Sequence, residues 1–462
     1  MNQLIEDVKA LDALLNATKN QGLDYLTNIN DRSTSVPVTA VENGVLAEAG
    51  VGAKEALNLF NQRFEPIMVA SSGPRFWGFV TGGSTPASIV GDWLATVYDQ
   101  NTQGVTGHGD VSANIEVETI SLLLDLFGLP KSFLGGFVTG ATMSNFTCLA
   151  VARQWLGKCY NKDFAKEGIT EKINVLSATP HSSVIKSLSL LGIGGGNLVK
   201  VKTMDDREAI SITDLEQHIE KLNGQPFILI SSGGTVNTVD FDDFTAIKQL
   251  KQKYNFWWHI DAAFGGFAAC STDYAHLLKD WEYANSITID NHKWLNVPYE
   301  SAVFLVKEEH KVLQTETFQN SNAPYLGDPM ENFSYLNFLP ENSRRLKALP
   351  AWFTLTAYGK EGYRAIVDNC ITLAHYFQEK LENSDQFMML APVILNNLCF
   401  TIKDENQDVI AFLTDLNKSG KVFMTPTFYH GRKGIRASFV NWRTTTADVD
   451  LVFDVMVNLL AG

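Results

Sequence analysis

Residues 285–306 read NSITIDNHKWLNVPYESAVFLV. Two apolar runs, one ending at Ile289 and one at Val306, have the length and β-branched content of buried strands. Between them stands Lys293, followed by Trp294. Most lysines are solvated. A lysine between two buried strands is different, because burial opposes its charge and lowers its pKa. Lys293 is therefore a candidate Schiff-base nucleophile.

Upstream, WWHIDAAFGGF (257–267) closes another apolar run on Asp261 and continues in small residues. An isolated Asp there reads equally well as a turn or helix cap. Paired with Lys293 it suits pyridoxal phosphate, which needs a lysine to attach it and a carboxylate to keep its pyridine nitrogen protonated. A phosphate site is offered by GFVTGATMSNFTCLAVAR (136–153): a strand, a small-residue turn at Gly140-Ala141-Thr142, and a helix expected to begin near Ser144. Backbone N–H groups at such a helix start bind anions. TPHSSVIKS (179–187) sets His181 at a strand-to-helix junction, where an imidazole could stack on the pyridine. The glycines 192 and 194–196 follow a helix and precede a strand, the wrong order for a dinucleotide loop, and read as a turn.

Working outward, short apolar runs at 172–179, 197–203, 226–232, 256–262, 285–290 and 302–306 alternate with helix-length segments such as TAIKQLKQKYN. That alternation predicts a mostly parallel sheet covered by helices, an α/β fold. Residues 1–75 read as a helical N-terminal segment, with Leu4, Val8, Leu11 and Leu15 forming a stripe. The large domain is expected over 76–313. An Asn- and Pro-rich stretch at 314–343 breaks the pattern and reads as an active-site loop. Residues 344–462 read as a smaller α+β domain, with a helical face at Ile366, Cys370, Leu373, Phe377 and Leu381 and a capping box at Thr445-x-x-Asp448.

The 37 basic and 51 acidic residues among 462 give a formal charge of -14, which argues against a nucleic-acid surface. The five cysteines are scattered with no C-x-x-C pair, which speaks against a disulfide framework or thiolate metal site and suits a reducing compartment. The acidic amphipathic N-terminus has no signal-peptide pattern, and no apolar run reaches the ~18 residues of a membrane span. A cytoplasmic location is expected.

With Gly140-Ala141-Thr142, P-H-S-S, H-x-D-A-A and N-H-K-W in this order, the chain resembles the pyridoxal-phosphate-dependent group II amino-acid decarboxylases from about residue 72 onward. The resemblance implies the aspartate-aminotransferase-like architecture known as fold type I. It also implies a homodimer with active sites at the interface, and pyridoxal 5'-phosphate as cofactor. It makes Lys293 the attachment lysine, Asp261 the pyridinium partner and His181 the stacking histidine. Ala141, Thr142 and His292 match phosphate-binding positions, and Thr235 a further cofactor contact. Asp290, where the family often has the Asn of N-P-H-K, joins the expected cofactor-binding residues. Thr81 and Arg344 match positions near the substrate carboxylate, and Tyr325 the loop tyrosine that returns a proton to Cα. The implied reaction is decarboxylation of an L-amino acid. Trp77 and Phe79 suggest an aromatic substrate; the alternatives are an acidic amino acid, for which Arg75 is the nearest extra cation, or an aminotransferase reaction.

Overall fold

The computed structural model describes residues 2–37, 43–104, 111–319 and 333–461. Its centre is a seven-stranded sheet formed by β1 (Phe133–Val138), β2 (Val175–Ser177), β3 (Leu198–Lys200), β4 (Phe227–Ser232), β5 (Phe256–Asp261), β6 (Ser286–Ile289) and β7 (Ala302–Lys307), in the order β1-β7-β6-β5-β4-β2-β3. Strands β3, β2, β4, β5 and β6 are mutually parallel, and β7 runs antiparallel to both neighbours.

The strands are apolar at nearly every position because both faces are covered. Phe227, Leu229, Trp258, Ile260, Ile287 and Leu305 pack into one core, while Ile228, Ile230, Trp257, Phe304 and Val306 alternate with them into a second. Helix Ser112–Phe127 and the long helix Ala348–Glu382 close the first face; helices Ala141–Cys159 and Ser182–Leu190 close the second.

A four-stranded antiparallel sheet follows, made of β8 (Phe387–Met389), β9 (Asn397–Ile402), β10 (Thr425–Tyr429) and β11 (Arg432–Ser438), in the order β10-β11-β9-β8. Beneath it Cys370, Leu373, Phe377 and Leu381 are buried on the long helix. The capping box forms: the Thr445 N–H donates to Asp448 Oδ2 at 3.0 Å, and the Asp448 N–H donates to Thr445 Oγ1 at 3.4 Å.

Three details depart from expectation. The Ala141–Cys159 helix begins three residues earlier than expected, because Gly140 serves as its N-cap and the small residues make its first turn. The 314–343 stretch is not irregular throughout: helix Lys311–Phe318 runs into it, and Tyr335, Phe338 and Leu339 near its end are buried. Aromatic and apolar side chains there fasten that end to the core; Tyr325 and residues 320–332 lie outside the described residues. The N-terminal stripe is helical, but Leu4, Val8, Leu11 and Leu15 all remain more than half exposed.

Candidate active site

In an open parallel sheet, ligand-binding residues gather where the strands end at their carboxyl edge. Here β4 ends at Ser232, β5 at Asp261, and β6 is followed at once by Asp290 and the short helix Asn291–Trp294 that carries Lys293. A cavity of about 150 Å³ opens at this edge. Lys293, Asp261, His181 and Thr235 all line it, together with Phe79, Val80, Val236, Ala263, Phe264 and Arg436. Four side chains named from separate stretches of sequence thus converge.

Lys293 Nζ lies 3.7 Å from Asp290 Oδ2 and 5.4 Å from the centre of the Phe264 ring. Its turn is pressed against Gly82: a Cβ there would sit 1.5 Å from the Lys293 carbonyl oxygen. Only glycine fits, which fixes the lysine backbone against the 79–85 segment. Phe79 and Val80 in that segment hold positive φ angles of 57° and 59°, unfavourable for such side chains, at the wall of the cavity.

Asp261 is held from two sides. Its Oδ2 accepts from Asn145 Nδ2 at 3.0 Å and its Oδ1 from the Ala263 N–H at 3.3 Å. His181 is the N-cap of helix Ser182–Leu190; its Nδ1 accepts from the Ser183 N–H at 3.2 Å and lies 2.7 Å from Ser183 Oγ. Loss of water around the ring lowers the His181 pKa, an effect that Asp261 opposes and Lys293 and Arg436 reinforce.

The helix start expected to take a phosphate lies close to the lysine, with Asp290 touching both. The N-cap of helix Ala141–Cys159 is Gly140, which has no side chain to cap the helix, and a helix start left so can bind an anion. Gly140 at its start is close to His292: a Cβ built there would lie 3.4 Å from the imidazole Cε1. Asp290 Oδ2 takes the Ala141 N–H at 3.4 Å, and its Oδ1 is 3.1 Å from His292 Nε2. The uncapped helix, the cavity-wall carboxylate and the buried Nε of Arg436, which has no hydrogen-bond partner, fit a pyridoxal phosphate with an anionic substrate.

Some sequence-based expectations fail here. Arg344 is not in the cavity: its Nη2 donates to Glu116 Oε1 at 2.6 Å and to the Phe137 carbonyl at 2.8 Å, deep in the protein. A guanidinium so neutralised cannot hold this cavity's substrate. Arg75 is likewise committed, pairing with Asp448 at 3.0 Å, and Trp77 is core, packed on Phe377 and Phe439. Thr81 stands just behind the wall, its Oγ1 3.3 Å from the Tyr299 hydroxyl. The Thr235 hydroxyl lines the cavity but spends its proton on Glu208 Oε2 at 2.6 Å.

Arg436 is the residue that sequence reasoning missed. It reaches the cavity from β11 of the small sheet, its Nη1 donating to the Val236 carbonyl at 3.1 Å. Partial burial lowers its pKa. Its only sequence signal is a cation on an otherwise apolar alternating strand, GIRASFV.

The pyridoxal-dependent decarboxylase conserved domain matches residues 56–403. The chain belongs to that family. It is a pyridoxal-phosphate-dependent amino-acid decarboxylase with the fold type I architecture. Among its relatives, an aromatic-L-amino-acid decarboxylase from Bacillus atrophaeus is 28% identical over 458 residues, covering 93% of this chain and 92% of the relative. The solved structure of Catharanthus roseus tryptophan decarboxylase in complex with L-tryptophan superimposes with a TM-score of 0.88 at 20% identity, covering 98% of each chain. That of mouse CSAD gives 0.88 at 20% identity over 98% of this chain and 99% of that one.

Proposed function

We propose that this enzyme decarboxylates an aromatic L-amino acid, with Arg436 gripping the substrate carboxylate. The observation that carries the reading is the cavity lining itself. Among its described residues the cations are Lys293 and Arg436, and the apolar part of the wall, Phe79, Val80, Val236, Ala263 and Phe264, is open to a side chain. One guanidinium suffices for an α-carboxylate. A second carboxylate, as in an acidic amino acid, would need a further cation, and Arg75 is engaged by Asp448. The name of the Bacillus atrophaeus relative points the same way.

In this reading Lys293 attaches the cofactor covalently. Asp261 would keep a proton on its ring nitrogen, and His181 would stack on the ring. Ala141 and Thr142 at the helix start would hold the phosphate with His292, beside which Asp290 stands, and Thr235 would contribute from the cavity wall. Bound there, pyridoxal phosphate supplies a sink for the electron pair left when CO₂ departs. Thr81 is assigned a place near the substrate carboxylate, and Tyr325 proton return to Cα, from their sequence context alone.

We also infer a homodimer. Its support is the uncovered stripe of Leu4, Val8, Leu11 and Leu15, an apolar face that a second copy would bury. A cytoplasmic location is supported by five cysteines that are all unpaired. No helix among the described residues is long and apolar enough to cross a membrane.

An amino-acid panel scored for CO₂ and amine tests the substrate assignment. Aromatic L-amino acids should turn over fastest. Faster turnover of glutamate, aspartate or cysteine sulfinate would overturn it, as would keto-acid-dependent turnover without CO₂.

A further inference from the structure

Behind Asp261 and His181 lies a chain of buried polar groups that the proposed chemistry does not use. Asn145, on the Ala141–Cys159 helix, is completely buried. One end of its amide faces Asp261 Oδ2 at 3.0 Å and Ser183 Oγ at 3.1 Å; the other faces His259 Nε2 at 2.8 Å. His259 Nδ1 is 2.9 Å from Ser286 Oγ, which also accepts from Trp257 Nε1 at 2.9 Å.

Hydrogen-bond direction can be followed along this chain. An ionised carboxylate only accepts, so the Asn145 end facing Asp261 must be the NH₂ group. The amide oxygen then faces His259, whose Nε2 must carry the proton. Its bare Nδ1 takes the Ser286 hydroxyl proton, and that oxygen is left to accept from Trp257, whose indole N–H can only donate. Both ends of the chain agree. On the other branch Asn145 donates its second proton to Ser183 Oγ, which frees the Ser183 hydroxyl to donate to His181 Nδ1. The Ser183 backbone N–H already donates to that nitrogen at 3.2 Å. The His181 proton is thereby left on Nε2.

We infer that Asn145 is a positioning residue which holds Asp261 in place and, through the Ser183 hydroxyl, reinforces the Nε2–H tautomer of His181 that the Ser183 N–H already favours. The inference rests on the reading of Asp261 as an anion facing the cofactor nitrogen. Burial, which holds the His259 pKa down to about 4, keeps that ring neutral as the chain requires.

Neutron diffraction from deuterated crystals of the holoenzyme tests the tautomers without any variant. Deuterium should appear on Nε2 of both His181 and His259 and on neither Nδ1. Deuterium on either Nδ1 overturns the proposal, whatever the substrate panel shows. A second test uses Asn145→Asp and Ser183→Ala holoenzymes. Asn145→Asp sets a second acid against Asp261, so kcat should fall about 10²-fold with KM nearly unchanged, and the bound cofactor's visible spectrum should shift. Ser183→Ala cuts only the His181 branch, so kcat should fall with the spectrum intact. If both variants lose stability alone, with parental kcat and spectrum per folded holoenzyme, Asn145 is merely structural and the proposal fails. Should neither variant fold, the Asn145 amide in the parent neutron map decides: deuterons pointing to Asp261 and Ser183 support the proposal, and an amide oxygen facing them overturns it.

Discussion

Arg344 Nη2 lies 2.6 Å from Glu116 Oε1, and both side chains are almost wholly inaccessible. Glu116 in turn accepts from the Phe137 N–H at 2.8 Å, so the pair ties helix Ser112–Phe127 to the end of β1 and to the segment leading into the long helix. Removing one partner of such a pair strands the other charge in the interior. Arg344→Met should therefore cost about 3–5 kcal/mol, read from urea unfolding. KM of the folded fraction should stay at the parental value; a large KM rise without loss of stability would return Arg344 to the substrate site.

Arg436→Gln should do the reverse. The fold should hold, since the residue is partly exposed at the cavity, and the bound cofactor's spectrum should be unchanged. KM for the amino acid should rise by about 10²-fold, because the proposed charge-assisted contact to the substrate carboxylate, worth roughly 2–3 kcal/mol, is lost. Equal kcat/KM in parent and variant would place the carboxylate elsewhere.

Lys293→Ala should abolish covalent attachment of the cofactor while leaving the protein folded. Borohydride reduction of the parent followed by peptide mapping should mark Lys293. A mark on any other lysine refutes the assignment.

Asp261→Asn should bind cofactor and lose turnover by roughly 10²–10⁴-fold, since a neutral amide cannot hold the ring nitrogen's proton. Equilibrium dialysis and a CO₂ assay separate the two effects. Near-parental turnover would end the pairing.

Acid should weaken the fold in a defined window. Burial first, then in His310 the neighbouring lysines, holds the pKa values of His259 and His310 down to about 4. Both rings stay neutral when folded and take a proton on unfolding below pH 6.5. Their contribution is complete above pH 6.5 and drains away as pH falls towards 4. The urea midpoint should drop across that interval, and less steeply in His310→Gln; identical slopes would refute the His310 contribution.

Much of this site was legible because its chemistry sits at strand ends. Lys293, Asp261 and His181 each follow a short apolar run, and a parallel sheet brings such positions to one edge whatever lies between them. Arg344 misled for a physical reason: sequence spacing cannot distinguish an arginine facing a cavity from one facing Glu116, 228 residues away in the chain. Arg436 escaped notice because its importance depends on how two sheets meet. The early start of the Ala141–Cys159 helix was hidden by Gly140, read as part of a turn when it is the residue before the first helical one.

The position of Arg436 at the cavity rides on a β-register. Arg436 pairs with Thr425 on β10 and Cys399 on β9, and its neighbours Ile435 and Ala437 are buried on the opposite face of β11. Successive side chains alternate across a strand, so a slip of one residue at the His430-Gly431 turn would swing an alkyl group towards the cavity and drive the guanidinium into the core. Substrate recognition by Arg436, as proposed, is thus exposed to insertions and deletions at the turn of a hairpin that lies far along the chain from Lys293, Asp261 and His181. Cofactor capture could persist unaltered in a variant that had lost all hold on its substrate.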